Sequence, residues 1–134
     1  MAAETPEAAK DVVLKYVAAF NRYDVETLRG LFAPDALIYG VLGAGGLDDV
    51  LPIWGELHAA FGLTLLVEEV IAEGDRVAVR FTERGTFSGP FRGKEPTGKS
   101  YELVAMEWFV LRDGRIFRRW GARDAASHAR QTGL

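Results

Sequence analysis

In the stretch VAMEWFVL, Val104 to Leu111, every residue is apolar except Glu107. Two more acids sit in comparable settings: Glu83 follows the alternating VAVRF, and Asp124 ends RRWGARD. A carboxyl held in an apolar cavity has a raised pKa, because desolvation disfavours its anion, and nearby carboxylates raise it further. Such a group can exchange protons with a carbon beside a carbonyl near neutral pH. The chemistry therefore depends on where each acid points. An unpaired carboxylate in an apolar cavity favours catalysis, whereas one forked by arginine favours structure. With 16 Lys and Arg in the chain, Arg80, Arg118, Arg119 and Arg123 are available as partners.

The elements that position these acids follow from the apolar periodicity. Val12, Val13, Tyr16, Val17 and Phe20 recur at helical spacing, which predicts a helix from about Pro6 to Tyr23 with Thr5 as its cap. Asp24 caps a short second helix that packs Leu28, Leu31 and Phe32 and ends near Pro34, and ALIYGVL reads as a strand. GAGG breaks the chain. Asp48 or Asp49 then caps a third helix running to about Phe61, with Pro52 tolerated near its start. After Gly62 the period changes, and LTLLVEEVIAE, DRVAVRFTERGTF, KSYELVAMEWFVLRD and RIFRRWGARD read as four strands. EGD and RDG make tight turns, SGPFRGKEPTG a longer connection, and AASHARQ a last short helix. Helices followed by antiparallel strands predict an α+β fold, cone-shaped, with three amino-terminal helices packed on a curved, mostly antiparallel sheet that encloses an apolar cavity.

Strand residues alternate faces. Tyr101, Leu103, Ala105, Glu107, Phe109 and Leu111 share one row, and Val77, Val79, Phe81 and Glu83 share another. In the last strand, regular alternation groups Ile116, Arg118, Trp120, Ala122 and Asp124. On that phase Glu83, Glu107 and Asp124 face one concave surface, and a bulge would shift it by one residue. Trp54, His58, Phe61, Phe81, Phe109 and Trp120 are the candidate cavity walls, with Tyr39 at the mouth. The opposite face of the third long strand carries Val104, Met106, Trp108 and Val110. A second copy of the chain is the expected cover, giving a homodimer through the outer sheet face.

Composition narrows the remaining classes. A chain of 134 residues is expected to form one domain, burying about two-thirds of its extended surface. A net charge of −3 gives no basic footprint for nucleic acid. The absence of cysteine excludes disulfides, thiolate catalysis and cysteine-ligated zinc, and two histidines are too few for a histidine-rich metal site. MAAETPEAAK lacks the apolar core of a secretory signal, and no run reaches the ~18 apolar residues of a membrane span, so a cytoplasmic protein is expected. GKEPTGKS ends like a phosphate loop but leads into a strand and lacks the first-glycine spacing.

The stretches EEVIAEGDRVAVRFTERGTFSGPFRGKEPTGKSYEL and RDGRIFRRWGARDAASHARQTGL resemble the SnoaL-like polyketide cyclase family, within the nuclear-transport-factor-2-like cone fold. Gly74-Asp75, Gly85-Thr86, Pro96 to Lys99, Asp113-Gly114, and Trp120 with Asp124 four residues on carry the likeness. The resemblance implies ring closure by intramolecular aldol chemistry on a hydrophobic polyketide, with no metal or organic cofactor. It matches Asp124 to the family's acid/base aspartate, and Glu107 or Glu83 would assist.

Many members carry an acid and a histidine just before the strand tryptophan; here Arg118 and Arg119 stand there. The related epoxide hydrolases need an arginine two residues before a strand acid and an aspartate two after the tryptophan. This chain has Phe81 before Glu83, and Ala122. A non-catalytic module that binds a small apolar ligand or a protein partner is the alternative, as is a hydrolase or dehydratase on the same scaffold.

Overall fold

The computed structural model describes residues 5–134, so the first four residues of the amino-terminal stretch read for a signal lie outside it. Thr5 Oγ1 accepts from the Ala8 amide and opens α1, Pro6–Arg22, whose buried stripe includes Val13, Tyr16, Val17 and Phe20. Tyr23 ends it in a left-handed conformation. Asp24 caps α2, Val25–Leu31, as expected.

Three local readings are corrected. The strand after α2 is longer than ALIYGVL: β1 spans Phe32–Tyr39 and contains both Phe32 and Pro34. Pro34 is tolerated where the pairing of β1 with its neighbour is irregular, between Phe32 and Leu37, so no ladder bond is lost there. GAGG does not merely break the chain, because Ala44–Gly45 forms β2 against the end of β1. The third helix, α3, Leu47–Phe61, is capped by Gly46 rather than an aspartate. Asp49 instead reaches back to accept from the Gly46 amide at 2.9 Å. Pro52 lies inside α3, beyond the residues whose amides lack helical acceptors, and so removes one backbone bond.

The remaining strands are β3, Thr64–Glu73; β4, Arg76–Thr86; β5, Ser100–Arg112; and β6, Arg115–Arg123, followed by helix α4, Ala125–Thr132. They form a six-stranded sheet in the order β2-β1-β6-β5-β4-β3, antiparallel except where β1 runs parallel to β6. This is the expected α+β cone. Val77, Val79, Phe81, Phe109 and Leu111 form the sheet side of a core completed by Tyr16, Phe20, Phe32, Trp54 and Phe61 from the helices and β1. Burying each large apolar side chain contributes about 1.5–3 kcal/mol. α4 is tied to the edge of β5 by the Gln131 amide, which both accepts from and donates to the Glu102 backbone at 2.9 Å. Among the described residues no helix is long and apolar enough to cross a membrane.

Candidate active site

The site is shaped by one extra residue in β6. Leu111 pairs with Ile116 and Val110 with Arg118, so Phe117 is bulged out of the ladder. Beyond it the alternation is inverted relative to a regular strand. Arg119 is buried, Gly121 and Arg123 are half-buried, and Trp120 is 43% exposed. The inward row is therefore Ile116, Arg119, Gly121 and Arg123, not the row ending in Trp120 and Asp124.

This corrects the largest sequence expectation. Asp124 is exposed and caps α4, accepting from the Ser127 amide at 3.0 Å and from its hydroxyl at 2.6 Å. Those hydrogen bonds, the hydroxyl's first, hold its carboxyl below the usual range, the opposite of a desolvated acid/base. Asp124 does not line the cavity.

Glu83 and Glu107 do point inward, and each meets an arginine from β6. Gly121 stands opposite Glu107 and Ala105 opposite Arg123, so each arginine reaches diagonally over a small residue to its acid. Arg119 Nη2 donates to Glu107 Oε2 at 2.7 Å, and the Tyr16 hydroxyl donates to Oε1 at 3.1 Å. Arg123 Nε donates to Glu83 Oε1 at 3.0 Å, while Nη2 and the Tyr101 hydroxyl donate to Oε2 at 2.5 and 2.6 Å. A carboxylate offers about four acceptor positions. Glu83 has three of them occupied by these bonds and Glu107 two.

Burial, then Glu107, pushes the Tyr16 phenol above its ordinary range, and burial and Glu83 do the same to Tyr101, so both remain donors. Burial acts to lower the Arg119 guanidinium, but Glu107 and Tyr16 outweigh it and hold the group above its usual value. His128 packs edge-on against Tyr101, with ring centroids 4.4 Å apart. Burial, helped by Arg123, lowers its pKa to about 4.

Both ion pairs line one cavity of about 70 Å³. Ala105 and Gly121 lie between them; Trp54, Ile53 and Leu57 of α3 line one side, and the Gly40–Gly43 turn, Phe20 and Leu65 are among the other lining residues. That turn is closed by the Gly40 amide donating to the Gly43 carbonyl at 2.9 Å. A dry cavity of ~150 Å³ holds benzene, so a ring-sized ligand needs this cavity to widen.

Of the aromatic wall expected from sequence, Trp54 lines the cavity. Phe61, Phe81 and Phe109 are fully buried core residues off its surface. His58 is tied up between the Trp54 and Phe20 carbonyls, at 2.8 Å from each. Tyr39 and Trp120 stack on each other at 5.6 Å, both exposed and off the cavity. Of the four arginines named as possible partners, Arg119 and Arg123 are the ones that pair with the inward acids, and the lining residues missed include Phe20, Gly121 and the Gly40–Gly43 turn. The two arginines carried a readable signal, since alternating cations on an otherwise apolar strand have to pair somewhere. Among the described residues no three His, Asp or Glu side chains gather as a metal-holding group.

The SnoaL-like polyketide cyclase family matches residues 10–132. Among solved structures, IdmH of Streptomyces antibioticus, a candidate polyketide cyclase, is 34% identical over 94% of this chain and 99% of its own, with a TM-score of 0.85. AclR of Streptomyces galilaeus, a candidate hydroxylase, is 28% identical over 96% and 83%, with a TM-score of 0.86. An epoxide hydrolase of M. tuberculosis shares the fold at 15% identity over 95% and 90%, with a TM-score of 0.75. No curated protein matches the chain.

Proposed function

This chain belongs to the SnoaL-like polyketide cyclase family, and we propose that it cyclises or isomerises a hydrophobic carbonyl compound of polyketide type by carboxylate chemistry in the cavity. Glu107 carries the reading: it is a buried acid in an apolar cavity with acceptor positions still open. Its two partners only donate to it, so it acts as a base. It removes a proton from the carbon beside a substrate carbonyl, and the resulting enolate carbon bonds to a second carbonyl carbon. The proton on Glu107 then passes to the new alkoxide, leaving the acid as it began. Glu83, with more of its positions filled, is the weaker candidate, and Asp124 takes no part.

The test is α-proton exchange. A panel of aryl and alkyl ketones in deuterated buffer, followed by proton NMR, should lose α-protons faster with the protein than without it. Glu107→Gln should remove about 10²–10⁴-fold of that acceleration. A second reading, a ligand-binding protein without catalysis, is favoured by the pairing of both inward acids with arginine and tyrosine. Ketones that bind without exchanging would establish it over the first.

We also propose that a second copy covers the outer sheet face. Ile71, Met106, Trp108 and Trp120 are exposed there at 60, 53, 49 and 43%. Glu69 and Arg80 put both signs of charge beside this patch, which suits a surface that must match itself about a two-fold axis.

A further inference from the structure

A guanidinium carries five N–H donors in a rigid fork. Arg119 commits Nη2 to Glu107, and its Nε is buried with no hydrogen-bond partner. Leaving a buried donor unpaired is costly, and folded proteins rarely do it without a reason. The guanidinium lies over Gly121 and faces the Trp54 ring, 5.7 Å from its centroid. A Cβ on Gly121 would stand 2.8 Å from its Cζ, Nη1 and Nη2, and a Cβ on Gly40 would stand 3.6 Å from Nη1. Arg119 and both glycines border the cavity.

Charge decides what such a group can accept. The cavity's ionisable lining consists of Glu83, Glu107, Arg119 and Arg123, two of each sign, so it has no net positive charge to offer an anion. It does have spare donors. A surplus of donors without a surplus of charge selects a neutral acceptor, and a ligand carboxylate would be a third anion beside Glu107.

We propose that Arg119 is the residue that receives the ligand's oxygen, that this oxygen belongs to a neutral carbonyl, and that Gly121 lacks a side chain so that the guanidinium can lie over it. The proposal rests on the reading that the cavity binds a hydrophobic carbonyl compound, and it adds the group that holds the carbonyl and the exclusion of acids. In the cyclisation above, the same N–H donors would hold the enolate oxygen while Glu107 holds the proton.

The experiment compares acetophenone, ethylbenzene and benzoate on the full chain, by NMR titration of the cavity amides and the infrared carbonyl stretch of carbonyl-¹³C acetophenone. Acetophenone should bind about tenfold or more tighter than ethylbenzene, and benzoate weakest. The bound stretch should move to lower frequency. In the paired variant Glu107→Met/Arg119→Met, which removes both charges together, the preference and the shift should vanish. Arg119→Lys, which keeps the charge without the fork, should lose most of the preference and serves if the paired variant does not fold. Equal binding of acetophenone and ethylbenzene with an unshifted stretch, or a shift that survives both variants, overturns the assignment to Arg119 and leaves the cavity reading standing. If neither compound perturbs the amides of Trp54 and Leu57, the cavity reading falls and the assignment falls with it.

Discussion

Arg119 occupies the space that a side chain on Gly121 would fill, with its guanidinium 2.8 Å from where that Cβ would stand. The two residues lie two apart on β6, and the arginine folds along its own strand over the glycine to reach Glu107. Gly121→Ala therefore cannot be absorbed by a flexible tip alone, because the Glu107 bond holds that tip. The expected cost is about 1–3 kcal/mol of stability in a denaturant titration. Ketone α-proton exchange should fall as well. A variant with unchanged midpoint and unchanged exchange would show that the contact is not tight.

Asp124 is assigned to helix capping rather than chemistry. Asp124→Ala should lower the midpoint of thermal unfolding through loss of the cap on α4. The rate of ketone exchange should not change. A loss of exchange out of proportion to the loss of folded protein would return this residue to the mechanism.

That reversal marks where sequence pattern stops being informative. The rows of β4 and β5 were legible because Val77 to Glu83 and Tyr101 to Leu111 alternate without interruption over long strands. Trp54 was legible because helical spacing placed it inward. β6 was not, because a single bulged residue after Ile116 exchanges its faces and RIFRRW contains no glycine or proline to announce it. Trp120 looked like a cavity wall for the same reason. Phe61, Phe81 and Phe109 were correctly read as inward, but whether an inward aromatic is core or wall depends on side-chain packing across elements, which spacing does not encode.

His128 gives the fold an acid limit. Its neighbours are Tyr101 and Phe61, with Arg123 and Glu83 as the charges that act on it, and its pKa is lowered to about 4, by burial first and then Arg123. In the unfolded chain it titrates near 6.5. The unfolded state thus binds the proton more readily, so stability is fully present above about pH 6.5 and declines as pH falls towards 4. His128→Leu should flatten that part of the stability–pH curve in thermal melts between pH 7 and 4. An identical slope in the variant would place the acid sensitivity elsewhere.

The outer face makes its own prediction. Light scattering coupled to size exclusion should give twice the monomer mass, and Trp108→Glu, which sets a charge in the middle of the exposed apolar patch, should give the monomer. A native protein that runs as a monomer at high concentration would leave that face to another partner.

The bulge at Phe117 makes the content of the cavity a question of odd and even. Drawing Phe117 into the ladder opposite Val110 would send Arg118, Trp120 and Ala122 inward and carry Arg119, Gly121 and Arg123 to the outer face, with none of them substituted. Arg118 would stand in the place of Arg119, Glu83 would lose its cation, and an indole would stand opposite Glu107, its fluorescence shifted to the blue. Descent by point substitution alone would need several coordinated steps to make the same exchange. Strand parity is thus a switch set by whether one residue bulges, and it needs no substitution in the site itself.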